Sequence, residues 1–73
     1  MTAGRGRVSN QVRKLREAAA MTQAELGERV GATRQTILAI EAEKYAPSLE
    51  LAFRLARAFG RPLEDVFRFH AED

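Results

Sequence analysis

The side chains from Arg34 to Ala39 are the ones best suited to chemistry in this chain, and the chemistry is hydrogen bonding rather than bond making. At about 100° per residue, Ile37, Ile40 and Glu41 share one face of a helix and leave Gln35, Leu38 and Ala39 on the other. The Gln35 amide donates and accepts at once, which suits the paired acceptor and donor of an adenine edge in a major groove. Arg34 can reach guanine O6 and N7 or a phosphate, and its residue type serves either. An outward Leu38 can pack on a thymine methyl. On an isolated short helix such polar side chains are ordinarily just solvated, so this face takes its meaning from the residues around it.

Bond-making chemistry has little to work with. There is no cysteine, His70 is the lone histidine, and the serines are Ser9 and Ser48. A thiol nucleophile or cysteine-based zinc site is excluded, and a serine relay or histidine metal site would rest on one imidazole near the C-terminus. The expectation is therefore no enzyme, no catalytic residue, no metal and no cofactor. No apolar run approaches the roughly 20 residues of a membrane span, and MTAGRGRVSN lacks the apolar stretch of a signal peptide. A cytoplasmic protein without membrane contact is expected.

The elements that must position Arg34 to Ala39 are read from periodicity and punctuation. Val12, Leu15, Ala18 and Ala19 recur at helical spacing from Asn10 for about ten residues, with Ser9 or Asn10 as cap. Thr22, three residues before Glu25, forms a capping-box pattern that opens a second helix with Leu26 and Val30 apolar and Gly31 as its stop. Thr33 caps the third helix, Arg34 to Ile40. Lys44 to Pro47 breaks the pattern, and Ser48 opens a fourth helix, with Leu51, Ala52, Leu55, Ala56 and Phe59 apolar, that ends at Gly60. Pro62 is expected as the first residue of a short fifth helix through Val66. Phe67 to His70 alternates weakly, as a strand does. Gly27, inside the second helix, is unfavourable by about 1 kcal/mol relative to alanine, which points to a neighbouring helix crossing too closely for a larger side chain.

Taken together, TQAEL, VGATRQTI, IE, KYAPSLE and PLEDVF resemble the helix-turn-helix domains of the lambda-repressor and Cro-like regulators, the XRE family, over about Asn10 to Phe69 and most of all its short, free-standing members. The resemblance implies an all-α, compact five-helix DNA-binding domain whose helices 2 and 3 form the helix-turn-helix, with a short two-stranded β element at the termini as an option. It places Arg34, Gln35, Thr36 and Ala39 at DNA-facing positions, to which the helical wheel adds Leu38. Phosphate contacts are expected from Thr22 and Gln23, where free backbone N–H groups and the helix dipole favour an anion, and from Lys44 and Tyr45 after helix 3. Tyr45 has an equal alternative, covering the edge of the core. In the family an arginine and a glutamate at the positions of Arg16 and Glu41 pair internally. Relatives commonly carry Asn-Gly where this chain has Ala42 and Glu43; a positive φ there would bear a steric cost that glycine avoids and would alter the loop bearing Lys44 and Tyr45.

A net charge of +2 looks too small to announce a nucleic-acid partner. Its distribution is more informative: residues 1–36 carry +4 and residues 37–73 carry −2, so the basic half holds most of the proposed binding element. A single short recognition helix gives little affinity, so a homodimer on palindromic double-stranded DNA is expected, with half-sites about 34 Å apart. Leu63, Val66, Phe67 and Phe69 are too many large apolar groups for a solvated tail. Val66 is expected inside and Leu63, Phe67 and Phe69 at a two-fold interface, the alternative being that all four close the core. The expected boundaries are a flexible basic arm at 1–7, from which Arg5 and Arg7 could reach the groove, a DNA-binding and dimerisation domain at 8–70 and a tail at 71–73, with no small-molecule effector domain. The function this implies is a transcriptional regulator, most simply a repressor; the alternative is an antitoxin-like or other regulator that binds a protein partner.

Overall fold

Three of the five described helices start where a hydroxyl takes an orphan N–H, and four stop where a residue turns left-handed. The computed structural model describes residues 5–72. Its order is β1 (Arg5–Asn10), α1 (Val12–Ala18), α2 (Gln23–Val30), α3 (Arg34–Glu41), α4 (Leu49–Phe59), α5 (Leu63–Val66) and β2 (Phe67–Glu72). Thr22 Oγ1 accepts from Glu25 N at 3.0 Å while Glu25 Oε1 accepts from Thr22 N at 2.8 Å, completing the capping box. Thr33 and Ser48 cap α3 and α4 through Thr36 N and Leu51 N.

α1 to α4 each end in a left-handed residue followed by a backbone bond back across the last turn. Gly31 (φ 74) and Gly60 (φ 65) do this without strain, but Ala20 (φ 57) and Glu43 (φ 59) occupy the same region with a Cβ. At Glu43 the helix-terminating pair of bonds forms, Lys44 N to Ala39 O and Glu43 N to Ile40 O, both 3.0 Å. The strain expected at Glu43 is therefore present; Ala20 carries the same strain, hidden in the sequence by a run of three alanines.

Val12, Leu26, Val30, Ile37, Ile40, Leu55, Ala56 and Val66 form one buried cluster, with Leu15, Met21, Leu51, Phe59, Leu63 and Phe67 packed around it. Ala18 and Ala19, assigned to the inner face by spacing, are exposed, because α1 ends at Ala18 and the turn through Ala20 brings Met21 to the core instead. Asn10 caps α1 from one position earlier than a standard N-cap, its Oδ1 accepting from Val12 N at 3.1 Å, whereas Ser9 Oγ lies 2.7 Å from His70 Nε2. Pro62 precedes α5 rather than opening it, since its ψ of 152° is extended.

The terminal strands are longer than the sequence suggests. β1 and β2 pair antiparallel from Arg5↔Glu72 to Asn10↔Phe67. Arg5 to Arg7, expected in a loose arm, and Ala71 and Glu72, expected in a tail, are thus strand residues; their backbone N–H and C=O groups pair across the two termini, a satisfaction that side-chain patterning does not record. Residues 1–4 and Asp73, the rest of those two segments, lie outside the described residues, as does the Arg5 side chain.

Gly27 is buried, and a Cβ built on it would sit 2.7 Å from Ala32 O. Gly27→Ala should therefore lose on the order of 2 kcal/mol despite alanine's helix preference, whereas Ala20→Gly, relieving a left-handed Cβ, should be neutral or gain up to about 1 kcal/mol. Urea denaturation of both variants checks this; a stabilised Gly27→Ala would contradict the close approach of the turn backbone at Ala32 and Thr33, which crowds Gly27 in place of the neighbouring helix expected from the sequence.

Candidate nucleic-acid interface

α3 is held by its inner face. Ile37 and Ile40 are fully buried, and Glu41, one position on, sends its carboxylate inward. There it receives Arg16 Nε at 2.6 Å and Arg16 Nη2 at 3.1 Å, and Gln23 Nε2 at 3.2 Å. The third Arg16 donor, Nη1, reaches Met21 O at 2.9 Å. With side-chain exposures of 12% for Arg16 and 6% for Glu41, this is a nearly buried bidentate pair, the geometry in which arginine is not replaceable by lysine. Burial pushes the Glu41 carboxyl up, but the hydrogen bonds from Arg16 and Gln23 and the charges of Arg16 and Arg13 outweigh it and hold the group below the usual carboxylate range. The hydrogen bond to Glu41 raises Arg16 against the opposing effect of burial. α1, α2 and α3 thus meet at one carboxylate.

The outer face of α3 follows from that anchoring. Arg34, Gln35 and Leu38 are exposed, Leu38 by 44%. Ala39 is half-buried, and Thr36, also half-buried, has its hydroxyl 3.0 Å from that of Thr33. Thr36 is thereby partly engaged in capping. Arg34 and Leu38 line an open groove with Thr22, Gln23 and Arg13, which brings these two base-contact candidates together with the α2 phosphate-contact candidates; Gln35, Thr36 and Ala39 do not line it. Sequence reasoning did not single out Arg13; it is exposed and pairs with Glu17 at 3.4 Å, and its one-turn offset from Glu17 was the available signal.

Lys44 and Tyr45 do not line that groove. They border a second one with Arg7, Val8, Phe67 and Phe69, and both are exposed, Tyr45 by 47%. Arg7 Nη1 lies 3.7 Å from Glu43 Oε1 across this groove, which ties β1 to the loop after α3. Gln23, expected to meet phosphate, spends one donor on Glu41; the role missed in the sequence is this contribution to the buried pair.

Among the described residues no group of three histidine or acidic side chains could hold a metal ion, and no helix is long and apolar enough to cross a membrane. A tight turn between α2 and α3, a buried inner face and a polar, exposed outer face on the second of the two helices make a helix-turn-helix. The sequence profile of the helix-turn-helix family matches residues 12–66. The chain belongs to the XRE-type helix-turn-helix regulators. It is 56% identical over 57 residues to an uncharacterised HTH-type transcriptional regulator of Methanothermobacter thermautotrophicus, covering 77% of this chain and 83% of that one. It is 46% identical over 66 residues to the uncharacterised HTH-type transcriptional regulator YgzD of Bacillus subtilis, covering 90% of this chain and all of that one. The crystal structure of a candidate DNA-binding protein from Bacteroides fragilis superposes with a TM-score of 0.75 at 20% identity, covering 84% of this chain and 98% of that one; at that identity the likeness establishes the fold.

For this XRE-type regulator the buried pair makes two checkable demands. Arg16→Met strands a desolvated carboxylate and should lose about 3 to 5 kcal/mol in urea denaturation; a loss below about 1 kcal/mol would mean that Glu41 finds other partners. Because the Glu41 pKa is depressed on folding, its contribution is complete above the ordinary carboxylate range and disappears as pH falls through and below that range. Glu41→Gln should accordingly flatten the acid limb of the stability curve, and an unchanged limb would contradict the assignment.

Proposed function

We propose that this regulator binds double-stranded DNA sequence-specifically as a homodimer, most simply as a repressor that occludes a promoter, with α3 inserted in the major groove. The observation that carries the reading is the polar, exposed face of Arg34 and Gln35 on a helix whose opposite side is locked by Ile37, Ile40 and the buried Glu41. Base reading needs side chains that are free to bond and a backbone that is not free to move. Gln35 reads an adenine edge, Arg34 meets guanine or the adjacent phosphate, Leu38 packs on a thymine methyl, Ala39 permits close approach, and Thr36 contributes at the edge. Thr22 and Gln23 at the start of α2, and Lys44 and Tyr45 after α3, take phosphates on the two sides of the groove. The proposed setting is the cytoplasm.

Dimerisation is assigned to the C-terminal face. Leu63 and Phe67 are half-buried against the core, Phe69 is 64% exposed, and the three line one cleft with Val8 and the charged Glu64, Asp65 and Arg68. Two copies joined there would present two α3 helices to a palindrome with half-sites about 34 Å apart. The same exposed Phe69 supports a second reading, an antitoxin-like regulator that docks a different protein on this face. Phe69→Ser should keep the helical circular dichroism of the wild type and yield a monomer in sedimentation equilibrium, with a melting temperature lowered by the lost association. A wild-type monomer that selects no duplex at moderate salt yet co-purifies with a stoichiometric protein would favour the second reading.

Roles within the interface separate by their sequence dependence. In binding to duplexes selected from a random library, Gln35→Ala should relax preference by about 1 to 3 kcal/mol at one base pair. Lys44→Ala should weaken all duplexes alike and lower the salt slope by about one. Equal effects of both substitutions on every duplex would refute this division of labour.

A further inference from the structure

One cationic surface of the molecule takes no part in the interface described above. Arg29, from the last turn of α2, and Arg54 and Arg57, from α4, line one open cleft together with Ala58, and none of these four borders the groove along α3. Arg54 pairs with Glu50 one turn away and lies over Gly31, where an added Cβ would be 3.2 Å from its Nη1. Among the described residues, no acid lies within ion-pair distance of Arg29 or Arg57. Arg54 and Arg57 come from residues 37–73, whose overall charge is negative, and Arg29 joins them from the basic N-terminal half, so the cleft gathers cations from both halves of the chain.

Beside the arginines the same helix exposes two large apolar side chains. Leu49 is 67% and Phe53 49% exposed. At about 100° per residue, Leu49, Phe53, Arg57, Glu50 and Arg54 follow one another around an arc of about 140° on α4, and the buried Ala52, Leu55 and Ala56 occupy the rest of its circumference. The stripe therefore passes from apolar to charged within one helix face, where Glu50 is engaged by Arg54 and Arg57 has no acid within ion-pair distance among the described residues. Phosphodiester backbone would engage the guanidiniums but offer nothing to Leu49 and Phe53. A protein segment that carries carboxylates one turn from a large apolar side chain would satisfy both, since arginine binds carboxylates through two parallel N–H donors and an exposed aromatic next to charged groups is a typical anchor.

We propose that the Arg29, Arg54 and Arg57 cleft, extended along α4 by Phe53 one turn before Arg57 and Leu49 one turn before that, is a docking surface for an acidic segment of a partner protein that bears a bulky apolar residue. The surface is independent of α3, so the regulator can hold such a partner while it is on DNA.

The test uses the whole chain as bait for a phage-displayed peptide library at about 0.15 M salt, followed by calorimetry with a synthetic peptide of the selected consensus. The expected consensus combines Asp or Glu with Leu, Phe or Trp, and its affinity falls about tenfold or more in Arg57→Glu and in Phe53→Ser. A peptide with lysine in place of the acids should bind Arg57→Glu better than it binds the wild type. Melting curves confirm folding, and Arg29→Glu, on the other helix, supplies the same readout should Phe53→Ser unfold. The proposal is overturned if no consensus emerges or if the peptide ignores both substitutions. It is equally overturned if Phe53→Ser abolishes self-association, making the face a contact between copies, or if Arg57→Gln weakens duplex binding as much as Gln35→Ala does, making it a DNA surface.

Discussion

The Glu41 carboxylate is the constraint on which the arrangement depends. A charge this buried must be fully partnered, so once it lies inside, Arg16 and Gln23 have little freedom in where they sit. That condition fixes α1 and the start of α2 against the C-terminal end of α3. It also fixes the rotation of α3 about its own axis: with Ile37, Ile40 and Glu41 turned inward, Arg34, Gln35 and Leu38 have no option but the outside. The pair's net stabilisation over an apolar replacement is not what makes it useful; its geometry is. Hydrophobic contacts alone tolerate small rotations of a helix, whereas a bidentate guanidinium does not.

A second tie holds the same C-terminal end of that helix from the side of the terminal strands. Asn10, at the close of β1, donates from Nδ2 to Ile40 O at 2.9 Å while its Oδ1 accepts from Val12 N. Gln11 N, its neighbour, donates to Val66 O at 2.8 Å. The terminal sheet is therefore continuous, through hydrogen bonds, with the end of α3 and with the short helix before β2. The exposed Arg7 and Glu43 pair adds little energy in solvent, but it lies on the same path. Lys44 and Tyr45 consequently rest on a loop whose strain at Glu43 is held in place by the strands.

Much of this was legible in the sequence, and the parts that were not have specific causes. Thr22, Thr33, Ser48, Gly31 and Gly60 announce helix ends because a hydroxyl or a missing Cβ has few other local uses. The inner and outer faces of α3 follow from periodicity. The Arg16 and Glu41 pair came from family resemblance together with their inward positions, and it is present. The strands were nearly invisible: β1 has one glycine and two arginines in six residues, and its stability comes from pairing with residues more than 50 positions away, which local patterning cannot weigh. Ala18 and Ala19 misled because alanine fits an apolar stripe and a solvated turn equally well. The end of α1 at Ala20 is an alanine in a glycine's conformation, so no punctuation marks it.

The central claim, that the outer face of α3 reads bases in a major groove, is tested most directly by NMR on isotopically labelled protein bound to its selected duplex. The account predicts intermolecular contacts from the Gln35 amide and the Leu38 methyls to major-groove base protons, with Ile37 and Ile40 silent. Contacts confined to α4 or to the terminal strands, with the α3 side chains unperturbed by DNA, would contradict it.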